Sequence, residues 1–405
     1  MEDLEQVIKK ACEDLDIPGC VLQAVNRDGS FKYAKTFGKR SIQPGGDQSP
    51  LQLNSVMWIA SCTKLMTSIC AMQLVERGLL SLDGPIYDII PELRDQPVLT
   101  GFDDTGKPIE VPHKNPISLK LLLTHSSGLT YDSMHPLAAG WLKYHNLVPA
   151  TDSKLLTRFG RLPLVFEPGT SWAYGPGIDY AGLLVERVSK MSLQDYMKKH
   201  LWEPLGVRNM TFFLASRPDL KAHMADMNKR DPESGKIVYT NERQPYQDGE
   251  KNEVEDCMGG QGVFSSAEEY IKILQGVLAT DENEKILKKE TVELLFTPYL
   301  SKGGSDTLNA FMQNAEANNA MGGISQEVRK DYALGGLFLC GDAPGGKGMK
   351  EGTLMWGGVP NLIWFCDRKT GLAGLYAGQV VPPGDAKCAG FTRMFEDAMY
   401  ERYKS

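Results

Sequence analysis

Across 405 residues there is no apolar run approaching the roughly 18 that a transmembrane helix needs. A helical membrane span is therefore excluded. Positive charge is not in excess either: 44 Lys and Arg stand against 51 Asp and Glu, a net charge of −7. The basic runs are no longer than pairs such as Lys9–Lys10 and Lys198–Lys199, so the clustered cations that a nucleic-acid surface requires are missing. No Cys-x-x-Cys pair occurs among the eight cysteines (12, 20, 62, 70, 257, 340, 366 and 388), and the six histidines show no ligand spacing. That usage argues against a disulfide framework or a zinc site and suits a reducing compartment. Met1–Lys10 is charged from its start, without the apolar stretch of a secretory leader, and the last residues carry no prenylation or peroxisome signal. A cytoplasmic protein is expected. Gly-x-Ser-x-Gly, the P-loop and His-Glu-x-x-His are absent too, which removes three common kinds of catalytic centre.

What is present is the material of a full core, 42% hydrophobic against 23% charged residues. Leu4, Val7, Ile8, Ala11, Cys12 and Leu15 fall at helical spacing over residues 2–15. Cys20–Val25 and Phe31–Phe37 then read as strands of a hairpin joined through Asp28-Gly29. The far end mirrors them, with strands at Asn361–Cys366 and Leu372–Ala377 and a closing helix over residues 389–403. The simplest assembly is an α/β (α+β) domain: the terminal strands join in one antiparallel sheet, the terminal helices cover it, and a mostly helical unit is inserted. One catalytic domain spanning 1–405 is expected, its sheet-containing part at about 1–80 and 260–405 and its helical part at about 81–259. Residues 301–352, rich in Gly, Asn, Gln and Met and poor in periodicity, read as a mobile lid or disorder. The stretch Met312–Met321 within them reads first as surface disorder and second as clothing for an apolar substrate.

Chemistry concentrates in Ser61-Cys62-Thr63-Lys64. Three residues apart on a helix, Ser61 and Lys64 share one face within hydrogen-bond reach. A partly buried lysine has its ammonium form penalised and can serve as the base that activates the hydroxyl. Apolar spacing over residues 61–78 puts Ser61 at a helix start, where backbone N–H groups can face an oxyanion. A lone match is weak, since composition alone yields about one or two in a chain of this length. Two further segments give it context. Glu167–Gly175 is a turn leading to Tyr174 in a Gly-flanked loop, and Leu354–Asn361 carries Trp356-Gly357-Gly358-Val359 into a core strand, where glycines let backbone approach a ligand closely.

These three elements in this order, with Leu122–Leu129, Pro204–Val207 and Gly259–Ser266, resemble the serine β-lactamase and penicillin-binding-protein fold, in its class C-like esterase (family VIII) branch. Gly101–Asp104, Gly262–Ser266 and Val359–Trp364 resemble most closely the fungal lovastatin-pathway acyltransferases and lovastatin esterases. The resemblance covers nearly the whole chain. It implies Ser61 as nucleophile, Lys64 as its partner, Tyr174 as proton shuttle, and the backbone N–H groups of Ser61 and Val359 as oxyanion hole. Which of Lys64 and Tyr174 is the base stays open, because coupled groups share one titration. No cofactor or metal is implied.

Two departures from the lactamase pattern bear on substrate. Pro176 stands where that branch has an Asn, so a side-chain amide contact is lost. Trp356-Gly357-Gly358 replaces Lys-Thr-Gly, so a flat apolar wall stands where the lysine would meet a substrate carboxylate. A neutral hydrophobic ester is the expected substrate, with Trp356, Gly358, Tyr131 and Trp58 expected to line its site. The reaction expected first is hydrolysis of a short branched acyl ester, of the 2-methylbutyryl type, on a polyketide such as lovastatin. The alternative is transfer of that acyl group from a thioester or acyl carrier to the polyketide alcohol. A non-catalytic binding protein and a β-lactamase or peptidase are the competing readings; the Ser61, Lys64 and Tyr174 set opposes the first and Trp356 the second. Of the other residues, His125 is expected to hold its loop by hydrogen bonds, Cys62 to fill core, and Trp172, Trp202 and Trp364 to be core.

Overall fold

The computed structural model describes residues 3–132, 134–344 and 348–404. Its frame is a seven-stranded sheet made from the two ends of the chain. The strands in chain order are β1 (Gly19–Asn26), β2 (Lys32–Gly38), β3 (Lys330–Ala333), β4 (Gly336–Leu339), β5 (Leu354–Gly358), β6 (Leu362–Asp367) and β7 (Leu372–Ala377). Across the sheet they run β3-β4-β5-β6-β7-β1-β2, and every neighbouring pair is antiparallel. The N-terminal strand therefore closes against the C-terminal one, Val21 opposite Ala377 and Asn26 opposite Leu372. All eight residues of β1 are buried, as expected of a central strand covered on both faces, whereas edge strand β2 buries only Tyr33 fully.

The helix Leu4–Glu13, capped by the Asp3 carboxylate, and the closing helix Ala386–Lys404 pack on one face. The helix Ala267–Asn283 covers the other. Adjacent residues of β6 mark the two sides: Phe365 stacks on Tyr400 of the closing helix, while Cys366 lies near Tyr270 of the helix opposite. The helix Thr63–Glu76 runs through the centre of the molecule, buried continuously from Thr63 to Leu74, and packs on the helix Gly177–Ser189. No helix among the described residues is long and apolar enough to cross a membrane.

Residues 301–352 depart from expectation. They hold the helices Lys302–Phe311 and Ala315–Asn319 as well as β3 and β4; residues 345–347 lie outside the described residues. Order here comes from polar side chains used internally. Ser301 and Asn314 cap the two helices by accepting from Gly304 N–H and Ala317 N–H. Asn309 brackets the Lys330 main chain, donating to its carbonyl (2.7 Å) and accepting from its N–H (3.0 Å). The Lys330 ammonium, 1% exposed, is spent on the Ser325 carbonyl at 2.8 Å. A composition that resembles disorder here supplies helix caps and internal hydrogen bonds.

Candidate active site

The chain reaches Ser61 through a short strand, Val56–Trp58, and a tight turn, Ala60–Cys62, before the long central helix begins. Ala60 adopts φ of +45°, a left-handed conformation uncommon for a residue with a side chain. The turn is held from both sides: Cys62 N–H donates to Ile59 O, and Tyr270 Oη donates to Cys62 O at 2.8 Å. The Cys62 thiol is core, and burial pushes its ionisation upward, so it offers no second nucleophile.

Ser61 Oγ lies 2.6 Å from Tyr174 Oη and 3.2 Å from Lys64 Nζ. Lys64, 3% exposed, donates also to Gly260 O (2.7 Å) and Tyr131 Oη (3.3 Å). Three acceptors thus match the three hydrogens of an ammonium. That ammonium stands 4.8 Å from the centre of the Tyr174 ring. The Tyr174 loop is set by the 124–131 segment: Thr130 Oγ1 donates to Tyr174 O, and Ala173 N–H donates to His125 O.

Behind Lys64 lies a carboxylate that the motif search passed over. Asp179, fully buried, accepts from Tyr131 Oη (3.0 Å) and from Gly260 N–H (2.8 Å). Burial raises its carboxyl above the ordinary value, with Lys64 opposing that shift, and it drives the Tyr131 phenol upward as the second cause after burial. Gly260 joins the two halves of the network, its N–H to Asp179 and its carbonyl to Lys64. A Cβ there would come within 2.3 Å of the Asp179 carboxylate, which requires glycine. Asp179 sits in the first turn of a helix, where an acid is ordinary, so its sequence position gave no sign of this role.

Over Ser61 opens a cavity of about 710 Å³. Tyr174, Tyr131, Phe159, Met312, Met321, Trp356, Gly358 and Val359 are among its walls. Trp356 is a buried plate packed on Tyr174 and Tyr332, ring centres 5.2 Å apart in each case. At Gly358 a side chain would meet the Ile59 carbonyl at 2.5 Å, so glycine is what lets the end of β5 close on the Ser61 turn. Both Ser61 and Val359 line the cavity, and among the described residues neither backbone N–H has an acceptor.

Two expectations, for Trp58 and for the Met312–Met321 stretch, need correction. Trp58 does not face the cavity: it is fully buried against Tyr246, and its Nε1 donates to Gln261 O at 2.6 Å, so it backs a lining residue. Its chain segment is a strand ended by the Ala60 turn, and the side chain is carried away from Ser61. His125 holds its loop through its main chain, its carbonyl accepting from Ala173 N–H and its N–H donating to Leu122 O, while its imidazole is boxed by Trp172, Tyr174, Tyr332 and Trp356 and burial holds it well below the usual histidine range. Met312 and Met321 are buried cavity wall, 2% and 7% exposed, in place of surface disorder. Trp172, Trp202 and Trp364 are core.

The chain is similar to known proteins along almost its whole length. A family model described as beta-lactamase matches residues 4–398. Monacolin J acid methylbutanoyltransferase of Aspergillus terreus is 36% identical over 403 residues, covering 99% of this chain and 96% of its own. Lovastatin esterase of Penicillium rubens is 37% identical over 405 residues, covering 99% of each. Among solved structures, a mutant of simvastatin synthase from Aspergillus terreus superposes with a TM-score of 0.90 at 37% identity, covering 99% of this chain and 94% of that one.

Proposed function

This chain belongs to the β-lactamase family, and on that premise we propose that it is a serine esterase acting on a short branched acyl ester, of the 2-methylbutyryl type, of a bulky hydrophobic polyketide. The observation that carries the reading is the Ser61 hydroxyl held 2.6 Å from Tyr174 Oη and 3.2 Å from Lys64 Nζ on the floor of a cavity of about 710 Å³. Ser61 Oγ attacks the ester carbonyl as its proton passes to Tyr174 Oη, which enters the step as the phenolate and leaves it as the phenol. Lys64 Nζ, anchored by Gly260 O and Tyr131 Oη, donates to the attacking oxygen at 3.2 Å and favours the negative character that Tyr174 brings to the step. The N–H groups of Ser61 and Val359 receive the oxyanion. When the tetrahedral species collapses, the alcohol leaves with the proton from Tyr174, and the acyl group stays on Ser61. Water then repeats the sequence and frees the acid.

The second reading is acyl transfer, with an acyl thioester or an acyl carrier as donor and the polyketide alcohol replacing water. The cavity favours it: a volume of about 710 Å³ lined by Trp356, Phe159, Met312 and Met321 suits a bulky apolar alcohol bound beside the acyl group. Cytoplasmic residence belongs to the same proposal, supported by the scattered cysteines. Intact-protein mass after brief mixing with a 2-methylbutyryl polyketide ester tests the reading. An acyl-sized gain in wild type but not in Ser61→Ala, with free alcohol released, is expected. Turnover persisting in Ser61→Ala would overturn it. Product analysis with and without an acceptor alcohol separates hydrolysis from transfer.

A further inference from the structure

His125 meets the Tyr174 loop at three consecutive residues. Its carbonyl accepts from Ala173 N–H at 3.0 Å. Its imidazole stands edge-on to the Tyr174 ring, centres 4.9 Å apart at 64°. The polar group that acts on that imidazole is the backbone of Gly175. The same ring lies near-parallel to Trp356 at 6.3 Å and meets Tyr332 edge-on at 5.1 Å. His125 is 1% exposed and stands outside the cavity lining, so it touches no substrate. Tyr174 Oη, in contrast, has Ser61 Oγ as its hydrogen-bond partner among the described residues, and the position of its ring is set by the rings around it. Those are His125, Trp356 and Tyr131, at 4.9, 5.2 and 5.4 Å. Trp356 and Tyr131 line the cavity, where a substrate can press on them; His125 is the side of the clamp that a substrate does not reach.

Core filling does not explain a histidine at this place. An imidazole buried among aromatic rings costs desolvation that a phenyl ring would not. Backbone shape explains part of the choice: residue 125 has φ of +55°, a left-handed conformation that histidine tolerates better than bulky apolar residues do. The turn around it is pinned on both sides. Thr124 Oγ1 donates to Lys120 O (2.9 Å), Ser126 N–H to Leu121 O (3.0 Å), and Gly169 N–H to Ser126 O (2.8 Å). A turn so fixed delivers the ring to one place, and that place is the edge of Tyr174.

We propose that His125 is a positioning residue of the reaction: from behind the cavity it fixes the Tyr174 ring, so that Oη keeps its 2.6 Å approach to Ser61 Oγ through each proton transfer. The inference rests on Tyr174 as the proton carrier and adds the residue that holds it in place. A ring displaced by about 1 Å stays in the site but lengthens the path of the proton, which slows the chemical step and leaves substrate binding as it was.

The test is a double-mutant cycle on p-nitrophenyl butyrate turnover, with His125→Asn and Tyr174→Phe made singly and together. His125→Asn keeps a residue suited to the left-handed turn and removes the ring. Its kcat should fall about 10- to 100-fold, with KM changed by less than about threefold. In the Tyr174→Phe background the same change should cost less than about threefold, because the hydroxyl that His125 places is already gone. His125→Phe keeps a ring and removes its polar edge; its kcat should fall between, and it carries the cycle should His125→Asn not fold. Losses of equal size in the two backgrounds would show that His125 supports the fold without acting through Tyr174, and would overturn the inference. Wild-type kcat in the variant that carries the cycle, or a loss confined to KM, would overturn it too, and each of these leaves Tyr174 as proton carrier. Tyr174→Phe with wild-type turnover would instead overturn the reading of Tyr174, and this inference with it.

Discussion

The floor and the wall of the cavity are built on different principles. On the floor, each polar atom of Lys64, Tyr131, Asp179 and Gly260 has a named partner, and Gly260 and Gly358 sit where no other residue fits. The wall side chains of Phe159, Met312, Met321 and Trp356 meet the cavity through apolar surface; among the described residues the buried Trp356 indole N–H has no acceptor. A hydrogen-bonded network tolerates little displacement, whereas methionine-lined surfaces adapt to shape. Chemistry is therefore specified on the floor and selectivity on the wall. Substitutions that are equally conservative by volume should have very different consequences in the two places.

The largest effect belongs to Ser61→Ala, which should lower turnover of a chromogenic ester by about 10⁴-fold or more while melting near wild type. Residual turnover within tenfold of wild type would remove the nucleophile from the floor. Tyr174→Phe deletes one oxygen and leaves the ring against Trp356, so packing survives. A loss of about 10²–10⁴ in kcat is expected from the missing proton acceptor. If instead KM rose and kcat held, Tyr174 would be a wall residue.

Asp179→Asn tests whether the network behind Lys64 acts as a unit. With its charge removed, Tyr131 and Gly260 N–H lose a charged acceptor, and activity should fall roughly tenfold. Its pH signature separates a positioning role from a merely structural one. Burial raises the Asp179 carboxyl above 3.8, so the folded chain holds that proton more tightly than the unfolded chain does. Ionising it weakens the fold as pH rises from the ordinary carboxylate range through the raised value. Melting temperature relative to Asp179→Asn should therefore decline with pH in wild type, while activity relative to the variant increases. Parallel profiles for the two proteins would show that Asp179 does not titrate into its working form.

The contrast between floor and wall also marks what could be read without coordinates. Ser61 and Lys64 are three residues apart where a tight turn runs into a helix, and the hairpins at β1–β2 and β6–β7 are local patterns of apolar runs around Asp-Gly or Thr-Gly turns, so all of them were legible. Asp179 was not, because an acid in a helix first turn has an ordinary explanation. The helices and strands between 301 and 352 were hidden for another reason: Asn309, Asn318 and Lys330 satisfy backbone carbonyls 21, 6 and 5 residues away, and side-chain hydrogen bonds of this kind leave no apolar periodicity to find. Trp58 was misplaced because its nearness to Ser61 in sequence suggested nearness to the cavity, and the turn at Ala60 breaks that relation.

The smallest effect should come from Met321→Leu on the wall. The swap nearly conserves volume, so stability should change by less than about 1.5 kcal/mol in denaturant unfolding. Leucine branches earlier and has fewer rotamers than methionine, so the wall loses adaptability and keeps its apolar character. The expected result is a change of a few fold, carried by KM, in the preference between a 2-methylbutyryl ester and a straight-chain ester of equal carbon number. Turnover of the better substrate should stay close to wild type. A fall in kcat as large as that of Tyr174→Phe would mean that Met321 helps to place the reacting carbonyl, and that wall and floor are one mechanical unit. A few-fold effect confined to KM keeps them separate, with acyl selectivity open to change at the wall while the Ser61 network stays as it is.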